Sequence, residues 1–330
     1  MLYTVNLSQD RSKENSYLST TLLEKIGETL SAGKKTILYL NKRGAFSCMI
    51  CEDCGYLYEC PKCDASFSVH NHPERLLCHL CGTQESSPLS CKKCHGNHIK
   101  SVGVWTQQVE KILKESFSSS KIYRFDTDSV KTKTAKKEAL EKLKSADIII
   151  GTKMITTGFD FSDVALIGVI LLEQELSFPK YNIEERVYTN TKQLLWRGER
   201  VGAKTDVVLQ TFIPENDFVK HITQGNYRDF FMSTLEERKI FNYPPFTQMV
   251  TLEYRDIQKQ KAENFMKMLD NKLQTLNKRN EYDIQYVCLP FKRNNQYHYK
   301  IIIKWNDVRI FLRNIEIEIM RNSKLSLIIE

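Results

Sequence analysis

Four Cys-x-x-Cys pairs stand between Cys51 and Cys94: Cys51/Cys54, Cys60/Cys63, Cys78/Cys81 and Cys91/Cys94. Nothing else in the chain constrains the fold as tightly. Two cysteines separated by two residues in a tight turn aim both thiolates at one ion, and two such pairs complete a tetrahedral four-cysteine site of the structural type. Eight thiolates therefore make two zinc sites. A single pair could serve redox chemistry, but redox motifs do not come in tandem. Sequential, interleaved and nested pairings of the four knuckles all satisfy the spacing. The histidines of this stretch, His70, His72, His79, His95 and His98, could each replace a cysteine. Eight thiolates already fill two tetrahedra, so these histidines are expected at the surface. Closed tetrathiolate sites lack the open position that catalytic zinc needs, and the module is expected to present a surface rather than perform chemistry.

A chain of 330 residues, 41% hydrophobic and 27% charged, is ordinary globular protein. Its length suits roughly two or three domains. The net charge of +8 favours an anionic partner, nucleic acid before membrane. Thiolate metal sites imply a reducing compartment, and the N-terminal residues carry no apolar core of signal-peptide type. The longest apolar run, Val164 to Leu172, is far short of the roughly 20 residues a membrane span needs. No membrane partner and a cytoplasmic location are expected.

The rest of the chain reads as strand and helix in alternation. Leu22, Leu23, Ile26 and Leu30 have helical spacing, and Thr36 to Leu40 (TILYL) is a continuous apolar run of the buried parallel type. After the cysteines the pattern resumes. It runs through a strand near Ser101 to Trp105, a helix from Thr106, a strand at Ile122 to Phe125, a lysine-rich helix and a strand at Ala146 to Thr152. A buried strand from Ala165 to Leu172, a helix from Glu184 and a strand at Val207 to Phe212 close the unit. This is the signature of an α/β fold, a parallel sheet with helices on both faces and the metal module inserted in it. Residues 214 to 241 are helical and aromatic, and Pro244-Pro245 marks a boundary. Beyond it a small α+β domain is expected.

Five stretches in this order carry a resemblance. Leu40 to Ala45 (LNKRGA) is similar to LNRRGY at the entry to the zinc module of the PriA (primosomal protein N′) family of replication-restart helicases, and the cysteine spacings follow that family's Cys-rich region. Arg124 to Asp128 (RFDTD) resembles its RxDxD stretch, Ile150 to Phe161 its IGTQMLAKGHDF motif, and Glu237 to Phe246 its ERR…YPPF signature. The resemblance implies a RecA-like second helicase lobe with the module inserted: lobe residues 1–47 and 99–213, zinc module 48–98, a helical linker 214–245 and a C-terminal α+β DNA-binding domain 246–330. It also implies nested pairing, with Cys51, Cys54, Cys91 and Cys94 on one zinc and Cys60, Cys63, Cys78 and Cys81 on the other. The implied partners are forked or single-stranded DNA, single-stranded DNA-binding protein and other primosome components.

The stretch Gln193 to Arg200 (QLLWRGER) occupies the place of the family's QVAGRAGR. By resemblance Arg197 and Arg200 face the γ-phosphate of ATP, and Gln193, Gly158 and Asp160 are nucleotide or DNA motif positions. Trp196 and Glu199 replace the two glycines there, and Thr157 replaces a motif lysine. The sequence holds neither a Walker A phosphate loop nor a Walker B acid; Gly33 to Thr36 and Gly202 to Thr205 have the wrong spacing and the wrong element order. The expectation is a PriA-like partial protein of replication restart. ATP and Mg²⁺, and 3′-5′ helicase activity, enter only if another chain supplies the first lobe, so the chain alone is expected to be inactive. The chain is then half of a split helicase, a degenerate derivative or a truncated gene product. The alternative is a non-enzymatic zinc-containing module that binds DNA or a primosome partner. Lys42, Arg43, Lys92 and Lys93 are candidate phosphate contacts.

Overall fold

The computed structural model describes residues 1–10, 17–40, 47–63, 65–71, 74–125, 133–152, 163–176, 178, 180–200, 205–278, 281–293, 295–306 and 312–330. They form two compact units, residues 1–58 with 87–227 and residues 59–86 with 228–330. The division runs through the cysteine-rich stretch.

The chain opens with β1 (Leu2–Asn6), α1 (Thr20–Ser31) and β2 (Lys35–Tyr39). The cysteine-rich stretch contributes β3 (Cys48–Cys51), β4 (Ser68–Asn71), β5 (Glu74–Leu77), β6 (Gln84–Ser86) and β7 (Ile99–Val102). Next come α2 (Thr106–Ser116), β8 (Ile122–Phe125), α3 (Lys133–Ser145), β9 (Ile148–Gly151), β10 (Val164–Val169), α4 (Leu172–Leu176), α5 (Ile183–Arg200) and β11 (Asp206–Thr211). The last stretch holds α6 (Asp217–Gln224), α7 (Tyr227–Ile240), β12 (Gln248–Asp256), α8 (Lys259–Leu276), β13 (Asp283–Arg293), β14 (Gln296–Trp305), α9 (Glu316–Arg321) and β15 (Leu325–Ile329).

In the first unit six strands pair in the order β1-β11-β10-β2-β9-β8, all parallel. Their sequences are near-continuous runs of β-branched and aliphatic residues because helices cover both faces. All four residues of β9 are buried. Gly168 lets α1 approach the sheet closely, since a Cβ there would stand 2.7 Å from Leu38 and 3.0 Å from Leu22. The α1 terminus is fixed by Ser19, whose hydroxyl accepts from the Leu22 amide at 3.0 Å. The Ser19 amide itself donates to the buried Gln210 side chain on β11.

Two features differ from the sequence expectation. The extended stretch before α2 is not a strand of the parallel sheet: β7 pairs antiparallel with β3, Cys48 opposite Val102 and Cys51 opposite Ile99, and so forms the stem of the cysteine-rich stretch. The apolar run from Ala165 ends as a strand at Val169, and Leu172 begins the five-residue helix α4.

The polar residues of α4 tie separate segments together. Glu173, fully buried, accepts from the Thr211 hydroxyl and from the amides of Phe212 and Ile213. Gln174 exchanges two 3.0 Å hydrogen bonds with the Val104 backbone. Glu175 accepts from the Tyr39 hydroxyl and from Asn190 of α5. Burial pushes the Glu173 pKa up, against the hydrogen bonds from Thr211, Phe212 and Ile213. A carboxyl with a raised folded pKa holds its proton longer in the folded chain, so stability falls as pH rises from the ordinary carboxylate range through the raised value. We expect Glu173→Gln, which keeps the acceptor, to flatten that pH dependence. Glu173→Ala strands two buried donors, the Thr211 hydroxyl and the Phe212 amide, and should cost on the order of 3 kcal/mol. Urea unfolding at several pH values measures both; equal stabilities for the two variants would contradict the assignment.

The second unit contains an antiparallel sheet in the order β13-β14-β12-β15. Alternate residues of β12, Val250, Leu252 and Tyr254, pack with Met266, Leu269 and Leu273 of α8 and with Ile301 and Ile303 of β14. This is the period-two and period-3.6 matching of one sheet face to one helix stripe. The described part of the expected last helix is a 3₁₀ turn, Arg313–Ile315, leading into α9. Within the same unit β4 pairs with β5 and β5 with β6, both antiparallel. Among the described residues no helix is long and apolar enough to cross a membrane.

Candidate metal centre

The eight knuckle cysteines gather into two groups, Cys51, Cys54, Cys91 and Cys94 in the first unit and Cys60, Cys63, Cys78 and Cys81 in the second. Within each group the four sulfurs lie within 4.8 Å of one another. In the first, Cys51 and Cys94 are 3.7 Å apart, as are Cys54 and Cys91. In the second, the corresponding Sγ separations are 3.4 Å for Cys60 and Cys81 and 3.3 Å for Cys63 and Cys78. Four sulfurs each ~2.3 Å from one tetrahedral ion stand about 3.8 Å apart, so the first group matches that edge and the second is slightly tighter. These distances are far from a disulfide, and all eight thiols are free. Four soft donors and no open position describe a closed structural site, and the two groups support two zinc ions.

Local backbone chemistry builds the knuckles. Each first cysteine is held by a hydrogen bond from its own amide to a carbonyl past the second: Cys51 to Tyr56, Cys60 to Ala65, Cys78 to Thr83 and Cys91 to Gly96, all at 2.8 to 2.9 Å. Among the described residues, the one after the second cysteine of a knuckle turns left-handed at Gly55 (φ 68), Gly82 (φ 81) and His95 (φ 60). Gly55 is also required for space, because a Cβ there would stand 2.8 Å from the Phe212 carbonyl oxygen just past the end of β11. The amides of Lys93 and Gly96 point at the sulfurs of Cys91 and Cys94, at 3.3 and 3.4 Å. Such donors favour the thiolate form a metal requires.

The surroundings of the two groups differ. The first includes an exposed sulfur ligand, Cys94. Nearby, Asp53 accepts from exposed His98 at 2.7 Å, and this hydrogen bond holds the Asp53 carboxyl below its usual range. The second group is more enclosed: Cys60, Cys63 and Cys78 are buried. There Tyr243, from the turn after α7, donates its hydroxyl to the Cys63 carbonyl at 3.3 Å.

The histidines do not all lie at the surface as expected. His95 and His98 are exposed, but His79 is buried and His70 half-buried, with their Nε2 atoms 2.9 Å apart. Burial drives the His79 pKa down to about 3. One imidazole of such a pair donates and the other accepts, which satisfies both Nε2 atoms without solvent. His72 lies outside the described residues.

Of the other sequence candidates, Gln193 is half-buried on α5, and Arg197 and Arg200 fall in the last turn of that helix. Trp196 is exposed on it. Gly158, Thr157 and Asp160 lie outside the described residues, as do Asp126 to Asp128 and Lys42 and Arg43; Lys92 and Lys93 are exposed. Sequence reasoning missed Tyr243 and the α4 residues. Tyr243 stands in a stretch read only as a boundary and a family signature, and no local pattern announces a contact with Cys63.

Comparison with known proteins agrees with this geometry. Residues 60–85 match the PriA DNA helicase Cys-rich region (CRR) domain, a span that holds all four cysteines of the second group. The chain is 35% identical to the replication restart protein PriA of Bacillus subtilis over 257 residues, covering 76% of this chain and 31% of that protein. To PriA of Chlamydia trachomatis it is 29% identical over 98% of this chain and 44% of the relative. To PriA of Haemophilus influenzae it is 28% identical over 95% of this chain and 44% of the relative. The chain thus spans from under a third to under half the length of these relatives. By its cysteine groups, its parallel sheet and these similarities, the chain belongs to the PriA family and corresponds to its C-terminal region.

Proposed function

We propose that this chain acts in the restart of stalled replication forks as the second-lobe and C-terminal part of a PriA-type helicase, binding forked or single-stranded DNA in the cytoplasm. The observation that carries this reading is the pair of four-cysteine groups in a chain whose first unit is built on a parallel α/β sheet and which is similar over almost its full length to replication restart proteins. Cys51, Cys54, Cys91 and Cys94 hold one zinc and Cys60, Cys63, Cys78 and Cys81 the other. Their task is structural. Residues 1–47 and 99–213 serve as the lobe, 48–98 as its insertion, 214–245 as the linker and 246–330 as the DNA-binding domain. Single-stranded DNA-binding protein and other primosome components are the partners. Unwinding in the 3′-5′ direction requires ATP, Mg²⁺ and a first lobe on another chain, with Arg197 and Arg200 stabilising γ-phosphate charge and Gln193, Gly158 and Asp160 at nucleotide or DNA motif positions.

Titration of a fluorescent forked DNA tests the DNA reading. A chain with net charge +8 that neutralises several phosphates releases their counterions. We expect binding at low salt to weaken at least tenfold between about 50 and 200 mM salt. No detectable binding at low salt would leave the charge as a matter of solubility and remove DNA as the partner.

A further inference from the structure

Among the described residues Lys304 is the one lysine or arginine in the buried class, at 4% exposure. It sits on β14, between Met249 of β12 and Asp283 of β13, in the interior of the C-terminal sheet. Its ammonium donates to the Phe241 carbonyl at 3.1 Å and stands 4.1 Å from the centroid of the Tyr243 ring. Asp283 is 3.7 Å away and half exposed. A buried ammonium is costly unless opposite charge and hydrogen bonds balance it. One carbonyl, one aromatic face and one partly solvated carboxylate balance it only in part.

The remaining negative charge lies in the metal group. A zinc ion on four thiolates carries a net double negative charge, and the second cysteine group belongs to the same compact unit as Lys304. Burial lowers the Lys304 pKa, while Asp283, Cys63 and Cys81 act in the opposite sense. Tyr243 bridges the two features. It is 4% exposed, its ring faces the ammonium and its hydroxyl donates to the Cys63 carbonyl. The first group is supported from within its own unit: buried Tyr58 donates to the Ser90 carbonyl beside Cys91 at 3.3 Å, and Lys100 is engaged by Glu52 at 3.0 Å.

We infer that Tyr243 and Lys304 are positioning residues of the zinc group formed by Cys60, Cys63, Cys78 and Cys81, and that they tie this ion to the C-terminal sheet. Lys304 offsets the charge of the tetrathiolate, and Tyr243 holds the Cys60/Cys63 knuckle against the strand that carries the lysine. The two zinc ions are therefore not equivalent. The second is retained with the help of the C-terminal sheet, and the first by residues of the first unit. This inference rests on the two-zinc reading and goes beyond it.

The test is zinc release from the purified full chain to excess EDTA, followed with a zinc-sensitive dye. In a C51S/C54S background only the second ion is present; in a C60S/C63S background only the first. Outer-shell partners of metal ligands are worth about 10- to 100-fold in affinity, so Lys304→Met is expected to speed loss of the second ion about tenfold or more. Lys304→Arg should restore most of the retention, and Tyr243→Phe should accelerate release more mildly. Loss of the first ion should be unchanged by all three. Release of the second ion within about twofold of its parent in both Lys304→Met and Tyr243→Phe would overturn the proposal, as would equal acceleration of both ions or an arginine variant no better than methionine. A C51S/C54S parent that holds no zinc before EDTA is added would overturn the two-zinc reading itself, which the dye reports separately.

Discussion

Replacing Cys60 and Cys63 with serine is expected to cost the chain one zinc ion and to unfold residues 59–86 while the parallel sheet of the first unit stays cooperative. The mirror variant, Cys51 and Cys54 to serine, is expected to lose the other ion and to loosen the β3/β7 stem. The cause is the division of the cysteine-rich stretch, which places one four-cysteine group in each compact unit. Small metal-organised segments have too little apolar core to fold unaided, and a structural zinc site is worth on the order of 10 kcal/mol of folding free energy. The effects should differ beyond the knuckles. The C-terminal sheet keeps its own core of Val250, Leu252, Met266, Leu269, Ile301 and Ile303, so it should weaken rather than melt when the second ion is lost. Loss of the first ion should reach the end of β11, because Gly55 packs against Phe212 and Ile213. Hydrogen exchange resolved by peptide reads out both. Loss of both ions from either double variant, or uniform deprotection of residues 48–98 in each, would mean that the stretch behaves as a single cooperative module.

The second large effect concerns nucleotide hydrolysis. This chain alone is expected to release no phosphate from ATP in the presence of DNA, and a separately expressed first lobe is expected to be the only means of creating activity. In this class of motor the nucleotide lies in a cleft, with the phosphate loop and Mg²⁺ ligands on one wall and arginines on the other. The sequence carries no phosphate loop, and Arg197 and Arg200 lie in the last turn of α5. Removing such an arginine costs about 10³-fold or more in turnover. An Arg197→Ala, Arg200→Ala variant should therefore abolish whatever activity the mixture shows. Turnover by the chain alone that vanishes in this variant would overturn the reading. No turnover in the mixture would favour a non-enzymatic DNA- or primosome-binding module, in keeping with the bulk of Trp196 and the charge of Glu199 beside those arginines.

Much of the fold is legible in the sequence because it rests on local signals. The runs at Thr36 to Leu40 and Ile148 to Ile150 announce buried parallel strands, and the spacing of the cysteines announces tetrahedral metal groups. Signals at longer range are not legible in this way. An extended stretch pairs in whichever sheet offers it a partner, and β7 pairs with β3 although it stands in the strand–helix alternation of the parallel sheet. The helix α4 has five residues, too few to show a period. What fixes it is a set of hydrogen bonds with Tyr39 of β2, Thr211 of β11 and Val104, distant in sequence. The contact of Tyr243 with Cys63 joins residues 180 positions apart. Neither the proline pair after Tyr243 nor the cysteine spacing encodes it. His79 shows the same limit: a histidine beside a ligand cysteine reads as solvated until a second histidine is seen against it.

The account of the cysteine-rich stretch in this PriA-family chain depends on its carrying two zinc ions, one in each unit. Native mass spectrometry of the freshly purified chain, with the two double-serine variants alongside, counts them. Two zinc ions are expected on the chain and one on each variant. One ion or none on the unaltered chain, or mass losses marking disulfides among Cys51 to Cys94, would contradict it.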